Sequence, residues 1–303
     1  MNATGSATII LNPHAGAHDR RVRDQDLAAA FAEHRLAPTI IVATGDRIAD
    51  AARRAVHGGS ALIAAAGGDG TVSAVAAALA DTGATLGVLP LGTLNHFAKD
   101  LGIPLDLRSA VDTLATGRIA NVDVAEVNNR LFINNASVGL YPRLVWERVR
   151  EQERGRGKLY AFLLALARVW RRYRRVAVSV HDGTRERVVH TPFVFVGNNE
   201  YLLEGVRIGA RTRLDRGYLH VCMAPGLERL DVIRVLLAAL AGRLDTIDRF
   251  ESVRTQQLSI AAQRRRLGVS LDGELRVLET PLRYRIRPGA LRVLVPHDGD
   301  AAP

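Results

Sequence analysis

Ala61-Leu62-Ile63-Ala64-Ala65-Ala66-Gly67-Gly68-Asp69-Gly70-Thr71-Val72-Ser73-Ala74-Val75-Ala76-Ala77-Ala78-Leu79 joins a short apolar run to a glycine-rich turn and an alanine-rich helical pattern. The run Ala61–Ala66 holds no polar residue, as a strand buried on both faces requires. The same strand-and-helix unit recurs on either side. Thr8–Leu11, Thr39–Ala43 and Thr85–Leu89 read as further strands, and Asp19–His34, Asp46–His57 and Thr71–Ala80 as helices. Repeated units of this kind predict a parallel sheet with helices on both faces. Ligands of such sheets sit beyond the carboxyl ends of the strands. The turns that fall there are Asn12-Pro13-His14-Ala15-Gly16, Thr44-Gly45-Asp46, Gly67–Thr71 and Leu91-Gly92-Thr93-Leu94-Asn95.

After a helix over Asp106–Thr116 the pattern changes. Ile119–Val127 and Leu131–Asn135 flank Asn128-Asn129, a hairpin signal. Short strand patterns follow at Val176–His181, Arg187–Val189, Phe193–Val196, Tyr218–Met223, Val253–Ile260, Leu267–Leu271, Leu282–Ile286 and Leu291–Val295. They predict a mainly antiparallel β-sandwich, interrupted by helical inserts at Pro142–Arg172 and Glu228–Leu240. The reading is an α/β domain over 1–120, a β-sandwich domain over 121–296 and a polar tail over 297–303.

At 303 residues the chain is long enough for two cores. The N-terminus carries no basic region ahead of an apolar stretch, and the longest apolar runs fall short of the ~20 residues a bilayer span needs. One cysteine, Cys222, excludes an internal disulfide and reads as a packed thiol. A cytoplasmic protein is expected. The formal charge is +10, and between Arg143 and Arg175 eleven arginines or lysines meet only three glutamates. Trp170-Arg171-Arg172-Tyr173-Arg174-Arg175 closes an apolar helical pattern there, which suits peripheral contact with an anionic membrane. No nucleic-acid recognition motif stands in the chain, so no nucleic-acid partner is expected.

Gly67-Gly68-Asp69-Gly70-Thr71 follows a strand and opens a helix, where glycines let backbone N–H groups approach phosphate oxygens. It is neither a Walker loop nor a Rossmann fingerprint. A plain turn capped by Asp69 or Thr71 is the simpler reading, and three glycines around an acid exceed what a cap needs. In Leu91–Pro104 Thr93 is read as the helix cap, leaving Asn95 and His96 polar at the sheet's carboxyl edge.

Asn12-Pro13-x-Ala15-Gly16, Gly67-Gly68-Asp69-Gly70-Thr71, Pro90-Leu91-Gly92-Thr93-x-Asn95-x-Phe97-Ala98, Asn134-Asn135-x-Ser137-x-Gly139 and Asp272-Gly273-Glu274 stand in this order. Together they resemble the diacylglycerol kinase catalytic family, which includes bacterial lipid kinases and sphingosine and ceramide kinases. The resemblance implies an ATP- and Mg²⁺-dependent lipid kinase with its site between the two domains. It implies that Asn12, Pro13, His14, Ala15, Gly16, Thr44, Gly67, Gly68, Asp69, Gly70, Thr71, Val72, Ser73, Thr93 and Asn95 bind the nucleotide. Asp69 would act with Mg²⁺, and Glu274 would take the proton of the lipid hydroxyl. Phospholipid metabolism is the implied setting.

Three positions depart from the family pattern. Ser73 and Ala74 replace Asn-Glu, His96 replaces an acid and enters the candidate catalytic set, and Arg216 replaces an Asp that in bacterial members holds a structural Mg²⁺. A guanidinium binds no metal, and Arg216 is expected to supply that cation itself. The alternatives are a nucleotide-binding regulatory protein with altered catalysis and a kinase of a soluble substrate. A homodimer is the one protein partner the reading admits.

Overall fold

The computed structural model describes residues 7–15, 20–139, 176–181, 186–201, 211–226, 228, 230–231, 251–262 and 264–297. Both expected helical inserts lie almost wholly outside these residues, as does the basic segment 143–175.

In the first half, strands β1 (Thr8–Leu11), β2 (Thr39–Val42), β3 (Leu62–Gly67) and β4 (Thr85–Pro90) alternate with helices α1 (Arg20–Glu33), α2 (Arg47–His57) and α3 (Asp69–Leu79). The strands are parallel in the order β2-β1-β3-β4. The chain leaves β1 to one side for β2 and returns across it to β3. Right-handed crossovers then put α1 on one face and α2 and α3 on the other. A short α4 (His96–Asp100) and α5 (Leu107–Thr116) follow, with α5 packed on α1 and β4. Small residues make the close approach possible: a side chain at Gly87 of β4 would run into Leu114 of α5 at 2.3 Å.

The second half holds β5 (Arg118–Val127), β6 (Arg130–Phe132), β7 (Asn135–Gly139), β8 (Val176–His181), β9 (Glu186–Thr191), β10 (Phe193–Asn198), β11 (Leu219–Met223), β12 (Glu251–Thr255), β13 (Gln257–Ala261), β14 (Arg266–Leu271), β15 (Glu274–Glu279) and β16 (Leu282–Val295). Among the described residues they make two sheets. One continues the parallel sheet through β16 to β13, β8 and β9, with β5 and β6 on its flank; the other runs β12-β11-β10-β7-β14-β15. The antiparallel sandwich expected from sequence is there, and its second core lies between the sheets, around Phe132, Val194, Leu219, Leu258 and Tyr284.

Several strand boundaries differ from the sequence reading. Leu131–Asn135 is two elements, β6 and β7, in different sheets, and Val253–Ile260 is likewise β12 and β13. Apolar alternation runs on through a change of sheet, so it does not mark the break. Leu282–Ile286 and Leu291–Val295 are one strand, β16, with a register shift at Pro288-Gly289. Asp123 holds that kink by accepting the Gly289 N–H at 2.9 Å and the Gly217 N–H at 2.7 Å. Leu291, Val293, Leu294 and Val295 thereby enter the core of the first half, while Leu282, Tyr284 and Ile286 enter the second. β15 was not anticipated; its alternating apolar residues, Leu275 and Val277, are exposed, and Leu278 is its one buried residue.

Candidate active site

The chain reverses direction between β1 and β3, and at this switch their outgoing loops lie side by side. Asn12 joins them. Its backbone N–H reaches Ala66 O at 2.9 Å and its Nδ2 donates to Thr71 Oγ1 at 3.0 Å. The Oδ1 accepts the His14 N–H at 3.1 Å, closing a turn over Pro13 and His14 onto buried Ala15. Gly16 lies outside the described residues. Thr44, half-buried behind β2, holds the neighbouring turn by accepting the Arg47 N–H on its carbonyl.

Each glycine of Gly67–Gly70 faces a different neighbour. A Cβ on Gly67 would lie 2.4 Å from Thr71 Oγ1, one on Gly68 would lie 3.3 Å from Gly92 Cα, and one on Gly70 would lie 3.5 Å from Glu274 Oε1. Gly68 is the N-cap of α3, in extended conformation and without a side-chain cap. Neither Asp69 nor Thr71 is therefore the cap that the simpler reading assigned. Val72 puts its side chain into the core and offers the loop only its backbone. Asp69 Oδ1 is buried with no hydrogen-bond partner among the described residues. An anionic oxygen in that state is costly unless a cation or a donor completes it.

The loop after β4 packs on this turn through Gly92. Thr93 is exposed and does not cap the following helix. The N-cap position belongs to Asn95, left-handed at φ 50°, whose side chain is spent within its own loop. Its Oδ1 accepts the Gly92 N–H at 3.0 Å, and its Nδ2 donates to Gly92 O and Pro90 O. Asn95 shapes the loop from inside, while His96 stands exposed at the start of α4.

The second half supplies the other wall. Asp272, also left-handed, turns β14 into β15. Its Oδ2 accepts from Ser73 Oγ at 2.5 Å and Ile133 N at 2.9 Å, and its Oδ1 from Asn134 N at 2.8 Å and Asn135 N at 3.1 Å. Burial raises its pKa, and the four donors pull the other way by favouring the carboxylate. Glu274 follows two residues later, 58% exposed, with Oε2 paired to Arg276 at 2.8 Å and Oε1 toward Gly70. In the sequence Asp272 stands out only as part of the Asp272-Gly273-Glu274 motif, and nothing there marks it as the acceptor that joins the two walls.

A second missed residue is Arg211. Its side chain is 0% exposed and meets Asp100, 7% exposed, at 2.8 Å. It also donates to Ile133 O at 2.7 Å, Asn198 O at 3.1 Å and Asn134 Oδ1 at 2.6 Å. Arg211 thus ties α4 to the turn whose N–H groups hold Asp272. The cation expected of Arg216 is corrected here: Arg216 is exposed and joins its turn through its backbone N–H on Asn199, while Asp215 pairs with Arg213. Among the described residues no three His, Cys, Asp or Glu side chains cluster as metal ligands.

The chain is similar to known proteins along most of its length. Residues 6–127 match the diacylglycerol kinase catalytic domain, and residues 137–295 match the YegS C-terminal NAD kinase beta sandwich-like domain. A Pseudomonas aeruginosa protein named probable lipid kinase YegS-like is 32% identical over 300 residues, covering 92% of each chain. A Mycobacterium tuberculosis diacylglycerol kinase is 27% identical over 305 residues, covering 97% of this chain and 96% of that one. In fold, a diacylglycerol kinase crystal structure from Bacillus anthracis matches with a TM-score of 0.73 at 21% identity, covering 97% of this chain and 98% of that one.

Proposed function

Because the chain belongs to the diacylglycerol kinase catalytic family and is a kinase, we propose that it transfers the γ-phosphate of ATP to the hydroxyl of a lipid, such as diacylglycerol or a sphingoid base. The observation that supports this is the convergence of two acids on one glycine turn. Asp69 brings a buried, unpartnered oxygen from the first half, and Glu274 brings a carboxylate over Gly70 from the second.

The backbone of Gly67–Gly70, at the N-terminus of α3, suits phosphate oxygens. Asn12 and Asn95 fix the loops on either side, and Thr44 and Thr93 stand on the same edge of the sheet. Asp69 is the residue that fits a divalent cation such as Mg²⁺, which when bound neutralises charge on the phosphates. In this reading Glu274 accepts the proton of the acceptor hydroxyl, supported by its position on the wall opposite the nucleotide loops. His96, exposed on α4, is its rival as base. A lipid acceptor would be met at the membrane surface; no helix among the described residues is long and apolar enough to cross a membrane.

The test is phosphorylation by the purified protein with ATP and Mg²⁺. Incorporation into diacylglycerol or a sphingoid base bears the reading out. ATP binding without transfer to any acceptor makes the chain a regulatory nucleotide-binding protein, and transfer to soluble acceptors alone makes it a kinase of another substrate class.

A further inference from the structure

Glu274 opens β15, and the two apolar residues that follow on its other face, Leu275 and Val277, are 42% and 68% exposed. Side chains alternate along a strand. Leu278 is buried in the second core, so Glu274 and Arg276 share its side and Leu275 and Val277 point away. β15 is the edge of its sheet. On β14, Val277 stands opposite Gly268 and Leu275 opposite Ser270, so neither has a bulky cross-strand neighbour.

The surroundings are basic. Arg264, Arg265 and Arg266 are all exposed, and Arg266 stands diagonally beside Val277 on the same face. Thr280 fixes this run in place, its N–H on Arg265 O at 3.0 Å and its Oγ1 on Arg264 O at 2.7 Å. Glu279 meets Arg265 and Arg266, and Glu274 meets Arg276. Around the apolar pair three exposed arginines thus meet one glutamate, Glu279, since Glu274 and Arg276 pair with each other on the opposite face.

We propose that this edge of β15 docks on an anionic lipid surface, with Leu275 and Val277 entering the interface and Arg264–Arg266 meeting lipid phosphates. An apolar pair beside a fixed arginine run has the chemistry of such a surface. Position argues the same way. Val277 lies three residues from Glu274, roughly 10 Å along the strand. A lipid whose hydroxyl reaches Glu274 while its chains remain in the bilayer needs the membrane that close. The catalytic consequence rests on the lipid-acceptor reading; the docking itself does not.

The test is sedimentation of the full chain with vesicles of mixed phosphatidylglycerol and phosphatidylcholine. Leu275→Thr with Val277→Thr keeps strand propensity, and Arg264→Gln with Arg265→Gln and Arg266→Gln removes the charge. Each set is expected to lower partition at least about tenfold, with parental thermal melting. The arginine deficit should shrink at high salt, and the Thr variant's should persist. Phosphorylation of vesicle-borne diacylglycerol should fall with binding, while a water-soluble short-chain diacylglycerol is turned over at the parental rate. A parent that does not sediment, or variants that sediment equally well, overturns the proposal. So does a parental dimer that the Thr substitutions turn to monomer with binding intact, which would make β15 a self-association edge. Lost vesicle binding in a protein that phosphorylates no lipid keeps the docking surface and removes the lipid-acceptor reading instead.

Discussion

Ser73 Oγ lies 2.5 Å from Asp272 Oδ2, a hydrogen bond between residues 199 positions apart that ties the N-terminal half of α3 to the β14–β15 turn. The turn also carries Glu274, so this contact and the three N–H groups of Ile133–Asn135 set where Glu274 stands relative to Gly70.

Asp272→Asn keeps the size of the side chain and turns an NH₂ toward groups that are themselves donors. Loss of such a buried acceptor costs about 1–3 kcal/mol, and a displaced Glu274 is expected to lower kcat by roughly a hundredfold. Steady-state kinetics should show kcat falling far more than the KM for ATP rises. Unchanged kcat would detach this turn from catalysis.

Arg211→Met leaves Asp100 buried without its cation. Breaking a buried pair from one side costs roughly 3–5 kcal/mol, so chemical denaturation should report a loss of that size. Arg216→Ala, at an exposed side chain, should change stability by less than about 0.5 kcal/mol. Similar losses for both would return the cation role to Arg216.

At Gly92 an added Cβ would lie 2.5 Å from Gly68 Cα and 2.7 Å from Asn95 Oδ1. Gly92→Ala therefore pushes apart the two loops assigned to phosphate. Gly68→Val acts from the other side of the same contact. Both are expected to weaken ATP binding at least about tenfold by calorimetry, the size of a loss near 1.4 kcal/mol. Unchanged affinity in both would move the nucleotide elsewhere.

His220 is buried, and its Nδ1 accepts the Tyr201 N–H at 3.2 Å, a bond only the neutral ring can make. Burial lowers its pKa below the ordinary value of 6.5. The folded state then binds fewer protons than the unfolded state, so stability is complete above about pH 6.5 and falls as pH drops below it. Thermal melting between pH 7 and pH 5 should decline more steeply for the parent than for His220→Gln. Equal slopes would assign the acid sensitivity to other groups.

The parallel sheet was legible because Thr8–Leu11, Ala61–Ala66 and Thr85–Leu89 are continuous apolar runs ending in glycine or asparagine turns. β15 was not, since its alternating apolar residues, Leu275 and Val277, face away from the core and only Leu278 is buried. Asp272 looked like any Asp-Gly turn, because its work depends on Ser73 and on Ile133–Asn135, far away in sequence. Arg211 was missed for another reason: it lies in an arginine-rich stretch, where nothing in the composition marks the one that is buried. Asn95 was read as facing the ligand, whereas its left-handed backbone turns the amide back onto Gly92.

The most direct test of the account is the turnover of Glu274→Gln on a lipid acceptor, with His96→Gln beside it. A lipid hydroxyl is a weak nucleophile at neutral pH, and a positioned base is typically worth about 10²–10⁴ in rate. The account predicts that Glu274→Gln loses at least about a hundredfold in kcat with ATP affinity nearly unchanged, and that His96→Gln retains most of its activity. An active Glu274→Gln beside an inactive His96→Gln would contradict it and place the base on α4.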